Sequence, residues 1–197
     1  MSNTVTPEIL EKERIDYYLD GLVDLGDILT SENKLQKISS SILHLILGTL
    51  MFSKGGILLY DKKKHALTAF SQRGVDIKEG EEISISQVDM KKLMEKSIHN
   101  IELDQTKGEI NELNRDIITK LNPKLIVPLT YKNEFLGIVS LCKKFMNQAI
   151  SDMDLQILSI ICHHFSHAVH NSNLIVTLNK KSDALNLKLL ELETLFD

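Results

Sequence analysis

The sequence predicts an α+β fold, and three observations lead to that class. Two short apolar segments flank a polar turn within residues 125–141, which is the pattern of an antiparallel β-hairpin. A capped helix begins directly after this hairpin, near Ser151. Both ends of the chain carry apolar residues at helical spacing. Antiparallel strands combined with long helices indicate the α+β class.

The hairpin is the clearest of these elements. Apolar side chains alternate along residues 125–130, and the second strand, LGIVSL, follows the turn at residues 132–134. Gly137 lies inside that second strand, where a missing side chain is typical of a bulge or of the close approach of another group. We therefore expect another part of the backbone to pass close to Gly137.

The helix after the hairpin has a defined start and no internal stop. Ser151 occupies the N-cap position, and Asp152 and Asp154 complement the helix dipole in the first turn. No proline or glycine follows before Asp197, and a 3–4 apolar repeat runs through residues 168–196. This repeat predicts a coiled-coil seam and a parallel homodimer. The alternative is that the stripe packs on the chain's own N-terminal helix as a bundle.

The N-terminus predicts a second long helix. Thr6 and Pro7 form a typical helix start, and apolar residues recur at helical spacing as far as Thr30. The final helix reaches LETLFD without a C-cap glycine. That ending predicts an output domain beyond the sequence.

Composition and charge fit one globular domain with helical extensions. The 197 residues are 43% hydrophobic and 25% charged, with a net charge of −4, which gives no sign of nucleic-acid or anionic-membrane binding. The basic run 62–64 is interpreted as a solvated turn. No signal peptide is present, and the apolar run 42–52 is too short to span a membrane, so a cytoplasmic location is expected. Cys142 and Cys162 are expected to be reduced and buried.

No catalytic motif is visible. The sequence contains no nucleophile elbow, HExxH, P-loop or paired CxxC. His163 and His167 have the i, i+4 spacing of a zinc-binding pair, but no third ligand is evident. We therefore expect a regulatory domain without a catalytic residue or a bound metal, in which these histidines lie near a dimer or sheet contact.

The order of elements resembles the GAF domain, a family of small-molecule sensory modules. The carrying features are the VPL strand, the polar turn, the LGIVSL strand, a basic pair and the acidic helix start, preceded by a helix at 35–50 and strands at 56–61 and 67–74. The resemblance implies a central antiparallel sheet of five to six strands. It places the long N- and C-terminal helices on one face and a ligand pocket on the other. It also divides the chain into a dimerising helix (1–32), a GAF domain (33–170) and a coiled-coil signalling helix (171–197).

The resemblance places the ligand between the sheet and the segment 79–124, which contains two predicted helical pieces, 89–99 and 109–121. Arg73 and Arg115 suit an anionic group, although both residues have an alternative interpretation as surface arginines. Further ligand-binding positions are implied by comparison with cyclic-nucleotide-binding members: Phe70, Ser71, Met90, Lys91, Asn114, Ile117, Ile118, Leu121 and Ser140.

The family's nucleotide-associated signature is only partly present. Its lysine and aspartate are matched by Lys143 and Asp154, which are expected to form a structural clasp. Its other positions are replaced by Cys142, Ile150 and Leu155.

The resemblance implies a regulatory small-molecule ligand, with cyclic AMP (cAMP) as the first candidate. Another metabolite and a ligand-free dimerisation domain remain alternatives, together with a free methionine sulfoxide reductase, which needs several pocket cysteines. The expected mechanism is that ligand closes the segment 79–124 over the sheet and shifts the long helices. Those helices would then control an output domain such as a diguanylate cyclase.

Overall fold

The computed structural model describes residues 23–29, 34–101 and 115–196, with side chains up to residue 188. Residues 23–29 are helical, and the elements that follow are α1 (Leu35–Thr49), β1 (Gly55–Asp61), β2 (Ala66–Arg73), β3 (Glu82–Ser84), α2 (Gln87–Met94), β4 (His99–Asn100), α3 (Arg115–Leu121), β5 (Leu125–Tyr131), β6 (Glu134–Leu141), a 3₁₀ turn (Phe145–Asn147) and α4 (Asp152–Phe196).

The strands form one six-stranded sheet in the order β3-β2-β1-β6-β5-β4. Each neighbouring pair is antiparallel. β1 and β6 lie at the centre although residues 62–133 separate them, so the two hairpins of the sequence meet side by side. The predicted α+β class with an antiparallel sheet is confirmed.

The hairpin β5–β6 forms as the sequence predicts. Lys132 and Asn133 have left-handed φ angles of 44° and 63°, as a two-residue type I′ turn requires. Gly137 lies opposite Leu59 on one side and Leu129 on the other. A Cβ at Gly137 would come within 2.2 Å of the Leu58 carbonyl oxygen. The close approach expected at Gly137 is therefore the neighbouring strand β1.

The first hydrophobic core lies between the sheet and the long helices, on what we call the helix face. α1 contributes Ile42 and Ile46, and α4 contributes Ile161 and Phe165, all of them fully buried. Leu25, from the helical segment 23–29, is also buried in this core. The placement of the C-terminal helix on one face is thus confirmed. The rest of the predicted N-terminal helix lies outside the described residues.

A second core covers the opposite face of the sheet, which we call the outer face. Its members are aliphatic except for one phenylalanine: Leu58, Leu67, Ala69, Ile77, Ile83, Ile85, Leu93, Ile101, Ile117, Leu121, Ile126, Phe135 and Ile138. α2 supplies Leu93 and α3 supplies Ile117 and Leu121. Both faces of the sheet are therefore buried.

The prediction of a helix over residues 89–99 is wrong at its end. α2 stops at Met94, and His99 instead pairs with Ile126 as part of the edge strand β4. The His99 Nε2 donates to the Leu93 carbonyl at 2.8 Å. Pairing with the open edge of β5 and this buried hydrogen bond outweigh local helical spacing. For the second predicted piece, residues 115–121 are helical and residues 109–114 lie outside the described range.

α4 continues far past the sheet. Apolar side chains of its second half are largely exposed, with Ile175 at 58%, Leu178 at 64% and Leu185 at 61% of their surface. Within the described ranges, none of the helices is apolar enough over a sufficient length to cross a bilayer.

We expect Gly137→Ala to destabilise the protein by about 3 kcal/mol, because its methyl group would overlap the backbone of β1. Urea unfolding measures this loss. Gly48→Ala is the control, since nothing lies within 4 Å of its added Cβ and alanine favours the helix by up to about 1 kcal/mol. Equal stability of Gly137→Ala and the parent chain would contradict the close approach.

Candidate functional site

A buried ion pair joins the end of β6 to the start of α4. The Lys144 Nζ lies 2.8 Å from the Asp154 Oδ2, and these side chains are only 4% and 1% exposed. The sequence analysis assigned the lysine of this clasp to Lys143, which the structure corrects by one residue. Lys143 is exposed, because Lys144 forms a bridge with Phe52 after the strand and turns its side chain inward.

The clasp also contains the helix cap. The Asp154 Oδ2 accepts from the Ser151 backbone N–H and the Ser151 hydroxyl, both at 2.8 Å. The same hydroxyl accepts from the Asp154 backbone N–H at 3.2 Å. This reciprocal pair is a capping arrangement, and it satisfies a carboxylate that would otherwise be costly to bury.

The outer face is the location where the resemblance placed the ligand. Ile117 and Leu121 are fully buried there, and the half-buried Met90 and Ile118 pack against the same core. These four positions are brought together as expected. They form part of a packed aliphatic layer in the described part of the chain.

Ser140 introduces a polar atom into this layer. It is fully buried, and its register pairs it with Gly56 on β1 and with Ile126 on β5, a residue of the outer-face core. Its Oγ has no hydrogen-bond partner among the described residues. An added Cβ at Gly56 would make ordinary van der Waals contact with the Ser71 carbonyl oxygen at 3.5 Å and with Leu58 and Val75 at 3.7 Å, so a single methyl group would fill the space beside this backbone.

Other predicted ligand residues lie elsewhere. Phe70 packs against the helix-face core, because it follows Ala69 of the outer-face core and successive residues of a strand point to opposite faces. A β-bulge opposite Ile57 and Leu58 then adds one residue to β2 and changes the face of Ser71. Ser71 is buried and pairs with Ile57, which belongs to the helix-face core. Phe70 is therefore separated from Ser140 by the sheet.

The charged members of the predicted site are exposed. Arg73 is exposed at the end of β2, Arg115 at the start of α3, and Lys91 on α2. Asn114 lies outside the described residues. The described arginines are thus surface residues, as the alternative interpretation allowed.

A groove of about 780 Å³ lies on the helix face between the hairpin turns and α4. Phe70, Tyr60 and Thr177 contribute to its lining. The basic run that the sequence analysis interpreted as a solvated turn lines one side, where Lys62 pairs with Glu134 at 2.6 Å. Sequence reasoning missed this groove because strand turns and a helix that are distant in sequence form it together.

The histidines of α4 make ring contacts. His170 stacks on Tyr131 with a centroid distance of 4.0 Å, and His167 meets the same ring edge-on at 4.9 Å. Within the described ranges, no group of three or more histidine, cysteine or acidic side chains is arranged to hold a metal ion. His167 and His170 therefore lie beside the sheet, at Tyr131 of β5, as expected for histidines near a sheet contact.

The two thiols are buried and protonated at neutral pH. Burial raises the pKa of Cys142 and of Cys162. The Cys142 thiol donates to the Leu121 carbonyl at 3.2 Å. A protonated, buried thiol is a poor nucleophile.

Three solved structures show which fold this is. The GAF domain of an Acinetobacter phosphoenolpyruvate-protein phosphotransferase aligns with a TM-score of 0.61 and 17% identity over 80% of this chain and 95% of that chain. Its counterpart from Coxiella burnetii aligns with a TM-score of 0.63 and 11% identity, over 81% and 96%. Residues 122 to 287 of a methyl-accepting chemotaxis protein align with a TM-score of 0.62 and 17% identity, over 77% of this chain and 98% of that chain. The chain has the GAF fold, as expected from the order of its elements.

The same fold occurs in proteins of different chemistry. A phycoerythrobilin-bound GAF domain from a cyanobacterial phytochrome aligns with a TM-score of 0.53 at 13% identity, over 82% of this chain and 96% of that chain. A free methionine-R-sulfoxide reductase from Neisseria meningitidis aligns with a TM-score of 0.59 and 12% identity, over 80% of this chain and 91% of that chain. No protein-family model matches the sequence, and no curated protein matches it. Function must therefore be argued from the site.

We expect Lys144→Met to destabilise the protein by about 3–5 kcal/mol, because it leaves the Asp154 carboxylate buried without its counter-charge. Lys143→Met, one residue away and exposed, should change stability by no more than about 0.5 kcal/mol. Urea unfolding of both variants measures the difference. The double variant Lys144→Met/Asp154→Asn should recover most of the loss, and equal effects of the two single variants would contradict the assignment.

Proposed function

We propose that this chain is a sensory GAF domain of a cytoplasmic signalling protein, with a small ligand bound at the outer face of its sheet. The observation that carries the proposal is the buried hydroxyl of Ser140, which has no hydrogen-bond partner in the described part of the chain. A buried hydroxyl without a hydrogen bond costs about 1–3 kcal/mol. A polar atom of a ligand beside Gly56 would remove that cost.

The chemistry of the outer face defines the ligand class. Aliphatic side chains from α3 and the sheet offer a wall for a flat or apolar body, while Ser140 offers one central hydrogen bond. Arg115, exposed at the start of α3, supplies a cation for an acidic group. Cyclic AMP combines these features and is the first candidate, with another metabolite of similar size as the alternative.

A ligand-free scaffold is the second candidate function, and the density of the outer-face core favours it. Four side chains of this core are fully buried in a single cluster: Leu58, Ile117, Leu121 and Ile138. A collapsed outer face of this kind would make the domain a dimerisation module alone.

The proposed route of signal transmission is α4. The clasp between Lys144 and Asp154 ties β6, which carries Ser140, to the first turn of this helix. The exposed apolar side chains of residues 171–188 then suit pairing with a second copy as a coiled coil. In this arrangement the dimerising helices are formed by residues 1–32 and 171–197. Residues 33–170 bind the ligand, and the activity of an output domain such as a diguanylate cyclase is regulated.

The proposed role is regulatory and not catalytic. The alternative of a methionine sulfoxide reductase needs reactive pocket thiols, whereas Cys142 and Cys162 are buried and their pKa values are raised. The fold neighbours named as GAF domains of a phosphotransferase and a phytochrome give the regulatory role its precedent.

Calorimetric titration with cyclic AMP, cyclic GMP and a metabolite panel tests the ligand. We expect Ser140→Ala to weaken the binding of the active compound about 5–10-fold and to stabilise the ligand-free chain by about 1–3 kcal/mol, because it removes a buried hydroxyl that has no partner among the described residues. Ser39→Ala is the control, since Ser39 is equally buried but its hydroxyl donates to Leu35 within α1. Flat traces with every compound would favour the scaffold function.

Sedimentation equilibrium at tens of micromolar tests the dimer. We expect the parent chain to be dimeric and Leu178→Glu/Leu185→Glu to be monomeric, because both leucines belong to the 3–4 repeat. Leu187→Glu is the matched control: Leu187 is 62% exposed but lies outside the repeat. A monomeric parent chain would refute the coiled-coil dimer.

A further inference from the structure

The free face of α4 beside the sheet carries no formal charge, which is unusual for an exposed helix. Residues 155–179 contain no aspartate, glutamate, lysine or arginine. Large apolar side chains are nevertheless exposed along this stretch, with Ile160 at 41% and Leu174 at 48% of their surface. A helix that faces water normally carries charged side chains on its free face. Depletion of charge around exposed apolar residues is typical of the core of a protein interface.

The exposed positions of this stretch follow a 3–4 repeat that contains two histidines, and we call this repeat the α4 seam. All of its members are exposed: Ile160, His164, His167, Asn171, Leu174 and Leu178. The seam meets the repeat of the second half of α4 at Asn171 and Leu178. Closer to the sheet it takes the place of the line through Ala168, which is half-buried there. The surface that suits a second copy thus extends from residue 171 back to residue 160.

Three histidine rings meet at the α4 seam within one chain. His163, at the edge of the seam, is exposed like His164 and His167. The ring centroids of His163 and His167 lie 4.7 Å apart, and those of His163 and His164 lie 5.7 Å apart. His163 and His167 have the i, i+4 spacing at which two imidazoles of one helix bind the same zinc ion.

Two imidazoles fill only half of the coordination sphere of a four-coordinate ion. Within the described ranges, no third histidine, cysteine or acidic side chain completes a metal site with them. A parallel pair of α4 helices brings His163 and His167 of both copies to the same level of the seam, because equivalent residues face each other across a two-fold interface. Pairing also removes water from ring nitrogens, and a metal ion supplies the partner that they then lack.

We propose that a divalent transition-metal ion of the zinc class is bound between two copies of this chain, with His163 and His167 of each copy as its four ligands. The proposal rests on the parallel dimer proposed above and adds a metal ion that strengthens it. Imidazole nitrogen favours zinc, copper and nickel, whereas magnesium and calcium favour oxygen ligands. The bound ion fastens the two α4 helices where they leave the sheet, so metal supply regulates the dimer.

Sedimentation equilibrium of the full chain, first stripped of metal with EDTA and then measured with and without zinc sulfate, tests this site. Elemental analysis of the dialysed protein gives the stoichiometry. We expect zinc to tighten the dimer at least about tenfold, with one ion bound per two chains, because the two copies share one set of four ligands. Magnesium sulfate should have no effect, since it lacks affinity for imidazole.

His163→Ala/His167→Ala should abolish both zinc binding and its effect on the dimer. The matched control is His44→Ala/His65→Ala, which removes two exposed histidines outside α4 and should respond to zinc as the parent chain does. Thermal unfolding without metal confirms that both variants fold.

The zinc measurement is readable separately from the coiled coil. A metal-free parent chain that is monomeric refutes the coiled-coil dimer, whereas its dimerisation on addition of zinc still supports the metal site. The site is refuted if the parent chain binds no zinc, if one ion binds per chain, if bound zinc leaves the dimer unchanged, or if both double variants lose zinc equally.

Discussion

The buried ion pair between Lys144 and Asp154 is the constraint on which the rest of the structure depends. It fixes where β6 ends and α4 begins, and the Ser151 cap shares the same carboxylate oxygen. The pair is costly to bury, and it is tolerated because the Asp154 Oδ2 meets the Lys144 ammonium and accepts two hydrogen bonds from Ser151. It thereby joins the centre of the sheet to the helix that leaves the domain.

The sheet separates two environments of different kinds. The helix face is covered by α1 and α4, and side chains of both helices pack on the sheet in its core. The outer face is covered by the shorter helices α2 and α3, and there Ser140 has no hydrogen-bond partner among the residues that the structure describes. A central, buried polar group of this kind is the exception to local rules that functional sites typically show. Its neighbour on β1 is Gly56, which has no side chain.

Much of the fold could be read from local chemistry. The turn at Lys132 and Asn133, the close approach at Gly137 and the cap at Ser151 depend on residue type and immediate neighbours, and each appears as expected. The candidate site was harder to predict. The face of Ser71 depended on a β-bulge, and the lysine of the clasp depended on which side chain turned inward after the strand. Both outcomes are single-residue shifts in register, which reverse the face of a side chain.

The sequence by itself determined the α+β class, the central hairpin, the start of α4 and the resemblance to GAF domains, because periodicity, turn residues and caps act over a few positions. Only the tertiary structure decided that His99 pairs at an edge strand, that Lys144 and not Lys143 meets Asp154, and which side of α4 packs in the helix-face core. These features depend on contacts between segments far apart in the chain. Spacing along the sequence carries no information about such contacts until the fold brings the segments together.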